Sequence, residues 1–90
     1  MQQEMGRVKE ELKQRVVEGS AGGGMVTVHV NGNVEVLAIK IKPEVIDPNE
    51  REMLEDLILA AVKQAVEKAQ ELGQAELGKL TGGLSLPGLF

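Results

Sequence analysis

The sequence predicts an α+β domain: a first helix, a β-hairpin whose return run carries a bulge or breaks into two short strands, and a long second helix. Three observations carry this expectation. The stretch from Asp47 to about Leu72 has the caps, length and apolar content of a helix. Two valine-rich runs flank Asn31-Gly32, a dipeptide whose residues both tolerate the positive φ of a tight hairpin turn. Apolar residues recur at three- and four-residue steps between Met1 and about Glu18.

The long helix opens on Asp47-Pro48-Asn49-Glu50. Asp47 is placed to accept hydrogen bonds from the free N–H groups of a first turn. Pro48 suits the first helical position, where its missing N–H costs nothing, and Glu50 falls at the third, as in a capping box. No proline or glycine follows until Gly73, a natural C-terminal stop. At about 100° per residue, Met53, Leu54, Leu57, Ile58, Ala61, Val62, Ala65, Val66, Ala69 and Leu72 cover more than one stripe, and Leu59 and Ala60 widen it. The polar strip of Glu52, Asp56, Lys63, Glu67 and Gln70 is narrow. A helix lying on one sheet needs an apolar face only about 100° wide. A core helix of a single domain explains most of this pattern. The excess width adds a contact with a second copy, through Leu57, Ile58, Ala61, Val62 and Ala65.

In the first helix, Met1, Met5, Val8, Leu12 and Val16 lie close to a coiled-coil seam. Lys9 and Lys13 stand one turn apart on one flank; Glu4, Glu11 and Glu18 repeat along the other. Two readings stand: a solvated amphipathic helix, or a seam against a partner helix made by Met5, Val8 and Leu12, with one flank presenting positive charge.

Gly19-Ser20-Ala21-Gly22-Gly23-Gly24 then reads as a flexible joint. A phosphate-cradling Walker loop needs Lys-Ser/Thr at its end and a helix after it. Here the glycines lead into a strand, Met25 to Val30, which excludes that class. Val26, Val28 and Val30 share one strand face; Met25, Thr27 and His29 share the other. The return run, Val34 to Lys42, changes parity: Val34 and Val36 face one way, Leu37, Ile39 and Ile41 the other. A β-bulge, or a break into two short strands, reconciles this. Residues 1–78 are expected to form one domain, and 79–90 a flexible Gly/Leu-rich tail able to dock on a neighbour.

The chain has 90 residues, so one domain is the prior, and one this short buries only roughly 60–65% of its unfolded surface. There is no cysteine to staple it, and with one Phe and no Trp or Tyr the core must come from Val, Leu, Ile, Met and Ala. Association is an ordinary remedy for so small a core. The absence of an apolar run of about 18 residues or a signal-peptide layout predicts a soluble cytoplasmic protein. His29 is the only histidine, so neither a nucleophile–histidine pair with a second imidazole nor a Cys/His metal site can be assembled. Glu52, Glu55 and Asp56 sit where a helix N-terminus favours acids. No catalytic residue, metal or cofactor is expected, and a binding or structural protein is favoured over an enzyme.

The ordered set Gly22-Gly23-Gly24-Met25-Val26-Thr27-Val28, Asn31-Gly32, Ile39-Lys40-Ile41-Lys42-Pro43, Asp47-Pro48 and Glu52 to Ala61 resembles the YbaB/EbfC family of bacterial nucleoid-associated proteins. The ending, Lys79 to Phe90, is also similar to the family's tail. The resemblance covers nearly the whole chain. It implies a helix, a three-stranded antiparallel sheet and a second long helix, in tweezer-shaped homodimers whose first helices project. It also implies duplex-DNA binding at the nucleoid, with sequence preference ranging from almost none to a short motif, and no enzymatic activity. Two features depart from the pattern. Members commonly begin with a longer Met/Gln/Lys-rich helix, within which this chain starts. Thr27 stands where many carry a basic residue, and Lys42 where many carry Asp, so the basic surface has moved.

The net charge of −4 argues against non-specific polyanion binding by the whole surface, so any DNA contact must rest on local positive charge. Lys9 and Lys13, doubled in a dimer, are the first expected phosphate contacts, with Arg7 and Arg15 from elsewhere on the helix. Lys40 and Lys42 come second, as an exposed basic pair or merely a soluble sheet face. The competing expectation is a dimeric protein-interaction module without significant DNA binding, its protein partner taken through the tail.

Overall fold

The structure is a computed structural model that describes the backbone of residues 2–80 and the side chains of residues 6–79. The tail from Thr81 onward and the side chain of Met5 lie outside the described residues. The elements run α1 (Gln2–Gln14), β1 (Val16–Ala21), β2 (Val26–Asn31), β3 (Val36–Ile41), two 3₁₀ turns (Pro43–Val45 and Pro48–Glu50) and α2 (Arg51–Leu80). The sheet is antiparallel in the order β1-β2-β3.

The first helix ends at Gln14, four residues before the expected Glu18. Val16 to Ala21, expected to finish that helix and open a flexible joint, is instead β1. Local periodicity loses here to pairing. The β-branched Val16 and Val17 sit opposite Asn31 and Val30, where branched side chains pack well on a pleated surface. Only Gly22–Met25 remains as a connection. It is a hairpin turn rather than a hinge, because Gly22, Gly23 and Gly24 all hold left-handed φ of 66°, 68° and 91°.

The parity change in the return run resolves as a β-bulge. Val26, Val28 and Thr27 pair with Ile41, Ile39 and Lys40, whereas His29 pairs with Ala38 and Val30 with Val36, leaving Leu37 as the extra residue. The bulge turns Val36 onto the same face as Ile39 and Ile41. Lys40 stands on the opposite face, cross-strand from Thr27, and so does not share a face with Val36 as simple alternation predicts.

Asn31-Gly32 does not form the expected two-residue turn. Asn31 ends β2, and its carboxamide is buried as the centre of a wider loop. Its Oδ1 accepts from the N–H groups of Asn33 and Glu35, each at 3.0 Å, and its Nδ2 donates to Glu35 Oε1 at 2.6 Å. The left-handed residue of the loop is Val34, with φ 63°.

The expected N-cap forms: Asp47 Oδ1 accepts from Asn49 N–H at 2.9 Å, with a 3₁₀ turn ahead of α2. Gly73 does not stop the helix, which runs through it and Gly78 to Leu80. α2 packs across β1 and β2. Its Ala61, Ala65 and Ala69 meet Val26, Val28 and Val30 in a fully buried core, and Leu54, Leu57, Ile58 and Val62 pack around it. The approach is close because both sides are small. A Cβ on Gly19 would lie 2.3 Å from the Ala61 carbonyl oxygen and 2.4 Å from the Ala65 nitrogen. Each buried valine contributes roughly 1.5–2 kcal/mol, so small residues let the helix come near enough to dehydrate them.

Candidate nucleic-acid interface

α1 is seated by one stripe. Val8 and Leu12 are buried, and Leu12 lies on Gly32, where an added Cβ would meet its side chain at 2.7 Å. Gly32 N–H donates to the carbonyls of Leu12 at 2.8 Å and Arg15 at 2.9 Å, and Asn33 Nδ2 donates to the Lys9 carbonyl at 3.0 Å. The β2–β3 loop thus holds the C-terminal half of α1 by its backbone. On the helical wheel, Lys9 and Lys13 share one flank beside this stripe and Arg7 lies on the other.

Arg7, Lys9 and Lys13 are exposed and form no ion pair among the described residues. Arg15 differs from them. Its Nη1 lies 2.9 Å from Glu76 Oε1 on α2, so the expected phosphate contact already has an acidic partner within the chain. Lys79 Nζ lies 3.7 Å from the same oxygen. Lys40 and Lys42 are also exposed and without an ion pair among the described residues. They stand at the other end of β2, since Lys42 N–H donates to the Met25 carbonyl while α1 rests on Gly32. The two groups are therefore about 20 Å apart along six residues of strand and do not form one patch within the chain.

The residues expected to face a second copy divide. Val8, Leu12, Ala61 and Ala65 are buried within the chain itself, the alanines against β1 and the other two in the seat of α1. Within the single chain these side chains are already covered, and the small residues of α2 are what the sheet needs for close approach. Leu57, Ile58 and Val62 are only partly buried. An apolar strip that sequence reasoning did not select lies on β3: Val36, Leu37 and Ile39 are 50%, 53% and 47% exposed. Val36 and Ile39 stand on the core-side face, beyond the reach of α2. Its sequence signal is the apolar Leu37-Ala38-Ile39 run at the parity break. No sequence signal marked Asn33 or Glu76.

His29 Nε2 lies 2.7 Å from Glu18 Oε1 on the outer sheet face. Among the described residues, no group of His, Cys, Asp and Glu is arranged to hold a metal ion, and no helix is long and apolar enough to cross a membrane.

The chain is 56% identical over its whole length to a nucleoid-associated protein of Pelotomaculum thermopropionicum, covering 86% of that protein. It is 58% identical, again over its whole length, to one of Acetivibrio thermocellus, covering 80% of it. In fold it is similar to an uncharacterized protein of Helicobacter pylori known from a crystal structure. That likeness has a TM-score of 0.79 at 20% sequence identity, over 88% of this chain and 83% of that one. The profile of the YbaB/EbfC DNA-binding family matches residues 1–84. The chain is therefore a member of the YbaB/EbfC DNA-binding family.

Proposed function

We propose that this protein is a homodimeric, nucleoid-associated protein that binds duplex DNA mainly through phosphate contacts and contributes to nucleoid organisation or gene regulation, without enzymatic activity. The observation that carries the reading is the outward set of α1: Arg7, Lys9 and Lys13, exposed and unpaired among the described residues, on a helix whose other face is fixed to the domain. Unpaired lysine and arginine on a rigid element suit counterion-releasing contact with phosphates, whereas few side chains here suit reading base edges. Acids more than a Debye length of about 8 Å away are largely screened at physiological salt, so the net charge of −4 does not prevent such contact. Family membership and the printed names of the relatives support a DNA partner and a nucleoid location.

The second copy covers the β3 strip and the adjoining flank of α2. Val36, Leu37, Ile39 and Leu59 are about half exposed and Ile58 and Val62 only partly buried, and a two-fold partner covers them with its own. Such a dimer presents two sets of α1 cations to one duplex.

The test is fluorescence anisotropy of a labelled random duplex at several salt concentrations. If roughly four to six phosphates are neutralised, log K falls with log salt at a slope near −4 to −5. The Lys9→Glu/Lys13→Glu double variant weakens binding without unfolding the protein; unchanged affinity removes the assignment of those lysines. Failure of the unmodified protein to bind even at low salt would favour the dimeric protein-interaction module instead.

A further inference from the structure

We infer that Glu76 is a positioning residue that, through Arg15, sets the pose of α1 and hence of the lysines it carries. The inference rests on the DNA-binding reading for its consequence, but not for its geometry. α1 is joined to β1 by Arg15 alone, so the direction of the helix depends on how that junction is held. Besides the buried stripe of Val8 and Leu12, three residues hold it. Gly32 donates to the carbonyls of Leu12 and Arg15. Asn33 reaches the Lys9 carbonyl one turn earlier. The third, Glu76, ties the end of α1 to α2 by charge, and among the described residues it does so alone: Arg15 Nη1 lies 2.9 Å from it.

The two partners are not alike. The Arg15 side chain is 55% exposed, whereas that of Glu76 is 17% exposed. A largely covered carboxylate needs a cation to compensate its lost hydration, and it has Arg15 and, more distantly, Lys79. A mobile phosphate could draw Arg15 away only by leaving that acid less compensated. Arg15 is therefore an anchor between the two helices, and Lys9, Lys13 and Arg7 are left as the outward cations of α1.

The sign of one substitution separates this from simple electrostatics. Removing an acid near a DNA-binding helix should tighten binding if only charge matters. Glu76→Gln should instead weaken it, by about two- to fivefold for each arm, the range an ion pair of this exposure supports. The salt slope should not change, because no phosphate contact is lost. The Arg15→Glu/Glu76→Arg exchange restores the pair with the same total charge and should restore affinity. An arginine that touched phosphate would not be rescued in this way, and the exchange would bind as weakly as Arg15→Glu alone.

The chain contains no cysteine, so a nitroxide on Glu10→Cys, exposed on α1, reports the motion of the helix directly. Its spectrum should sharpen in Glu76→Gln and return to the parent line shape in the exchange variant, with helicity by circular dichroism unchanged. An unaltered line shape in Glu76→Gln, tighter DNA binding, or failure of the exchange to rescue would each overturn the inference. If the unmodified protein binds no duplex at low salt, the DNA reading fails, and the nitroxide spectra still decide whether Glu76 holds α1.

Discussion

The two long edges of the sheet differ in composition, Val-Val-Glu-Gly-Ser-Ala in β1 against Val-Leu-Ala-Ile-Lys-Ile in β3, and in how α2 covers them. At β1 the edge is closed. Ser20 N–H donates to Gln64 Oε1 at 2.8 Å, and Lys68 Nζ donates to the Glu18 carbonyl at 2.8 Å, so two α2 side chains one turn apart occupy outward backbone groups of the strand. Directly above, Gly19 touches the helix backbone. At β3 no such cover exists among the described residues, where Val36, Leu37 and Ile39 are about half exposed. The difference follows where α2 passes, across β1 and β2. A closed edge is marked by small residues and amide or ammonium groups on the helix. An open edge is marked by large aliphatics with nothing small opposite. Unprotected edges invite pairing with another chain, which is the ground for seating the proposed second copy on this side.

The largest test falls on the closed side. Gly19→Ala places a methyl against backbone atoms of Ala61 and Ala65, which no rotamer change relieves. It should cost about 3–5 kcal/mol by separating β1 from α2, read as a fall in the urea midpoint. A loss under about 1 kcal/mol would mean the helix rides higher on the sheet than described. On the open side, Ile39→Lys should leave the fold of the single chain within about 0.5 kcal/mol, because Ile39 is already half exposed. It should instead weaken self-association by about 2–4 kcal/mol, since a two-fold axis repeats the lost burial and adds a like charge. Sedimentation velocity across a dilution series reads this; a dimer unaffected by Ile39→Lys would place the interface elsewhere.

A smaller effect probes the edge cover itself. Gln64→Ala removes the acceptor of the Ser20 N–H, which water can partly replace at this exposed site. The expected cost is about 1 kcal/mol in thermal or urea unfolding. If the side-chain cover also keeps β1 from pairing with other chains, the variant aggregates more readily on heating than its stability alone explains, as light scattering would show.

The contrast between edges also explains what the sequence could and could not reveal. The helix cap at Asp47, the valine face of β2 and the parity break in β3 were all legible, because each depends on residues close in the chain. The β1 strand was not. Val16-Val17 continued the apolar spacing of α1, and Gly19 resembled the start of a flexible run. Only the helix arriving some 40 residues later, with Gln64 lying 44 residues beyond Ser20, makes that glycine a packing requirement. Gly73 misled in the opposite direction. A glycine normally permits a helix to stop, but here an α2 already secured on both sides continues, and a Cβ at that position would only touch the Gly32 carbonyl at 3.5 Å. In the candidate interface, the shared flank of Lys9 and Lys13 follows from helix spacing, whereas the partner of Arg15 lies 61 residues away and left no local trace.

The smallest prediction concerns Val34, which feeds the open strand. A β-branched residue with φ 63° is strained, because its Cβ crowds the following carbonyl, at a cost of roughly 1–2 kcal/mol. The loop imposes this conformation. Asn31 draws the N–H groups of Asn33 and Glu35 to one buried oxygen, and Val34 N–H donates to the Asn31 carbonyl at 2.9 Å, so the chain between them has little choice. Val34→Gly removes the crowding but loosens the unfolded chain by about 0.5–1 kcal/mol. The net expectation is a gain of about 0.5 kcal/mol, a rise of a few degrees in Tm for a chain this size. If Val34 serves only the turn, self-association of the variant is unchanged. A variant that is more stable as a chain but weaker as a dimer would show that the valine, 39% exposed, adds its own side chain to the apolar strip and that the strain is tolerated for the contact it provides.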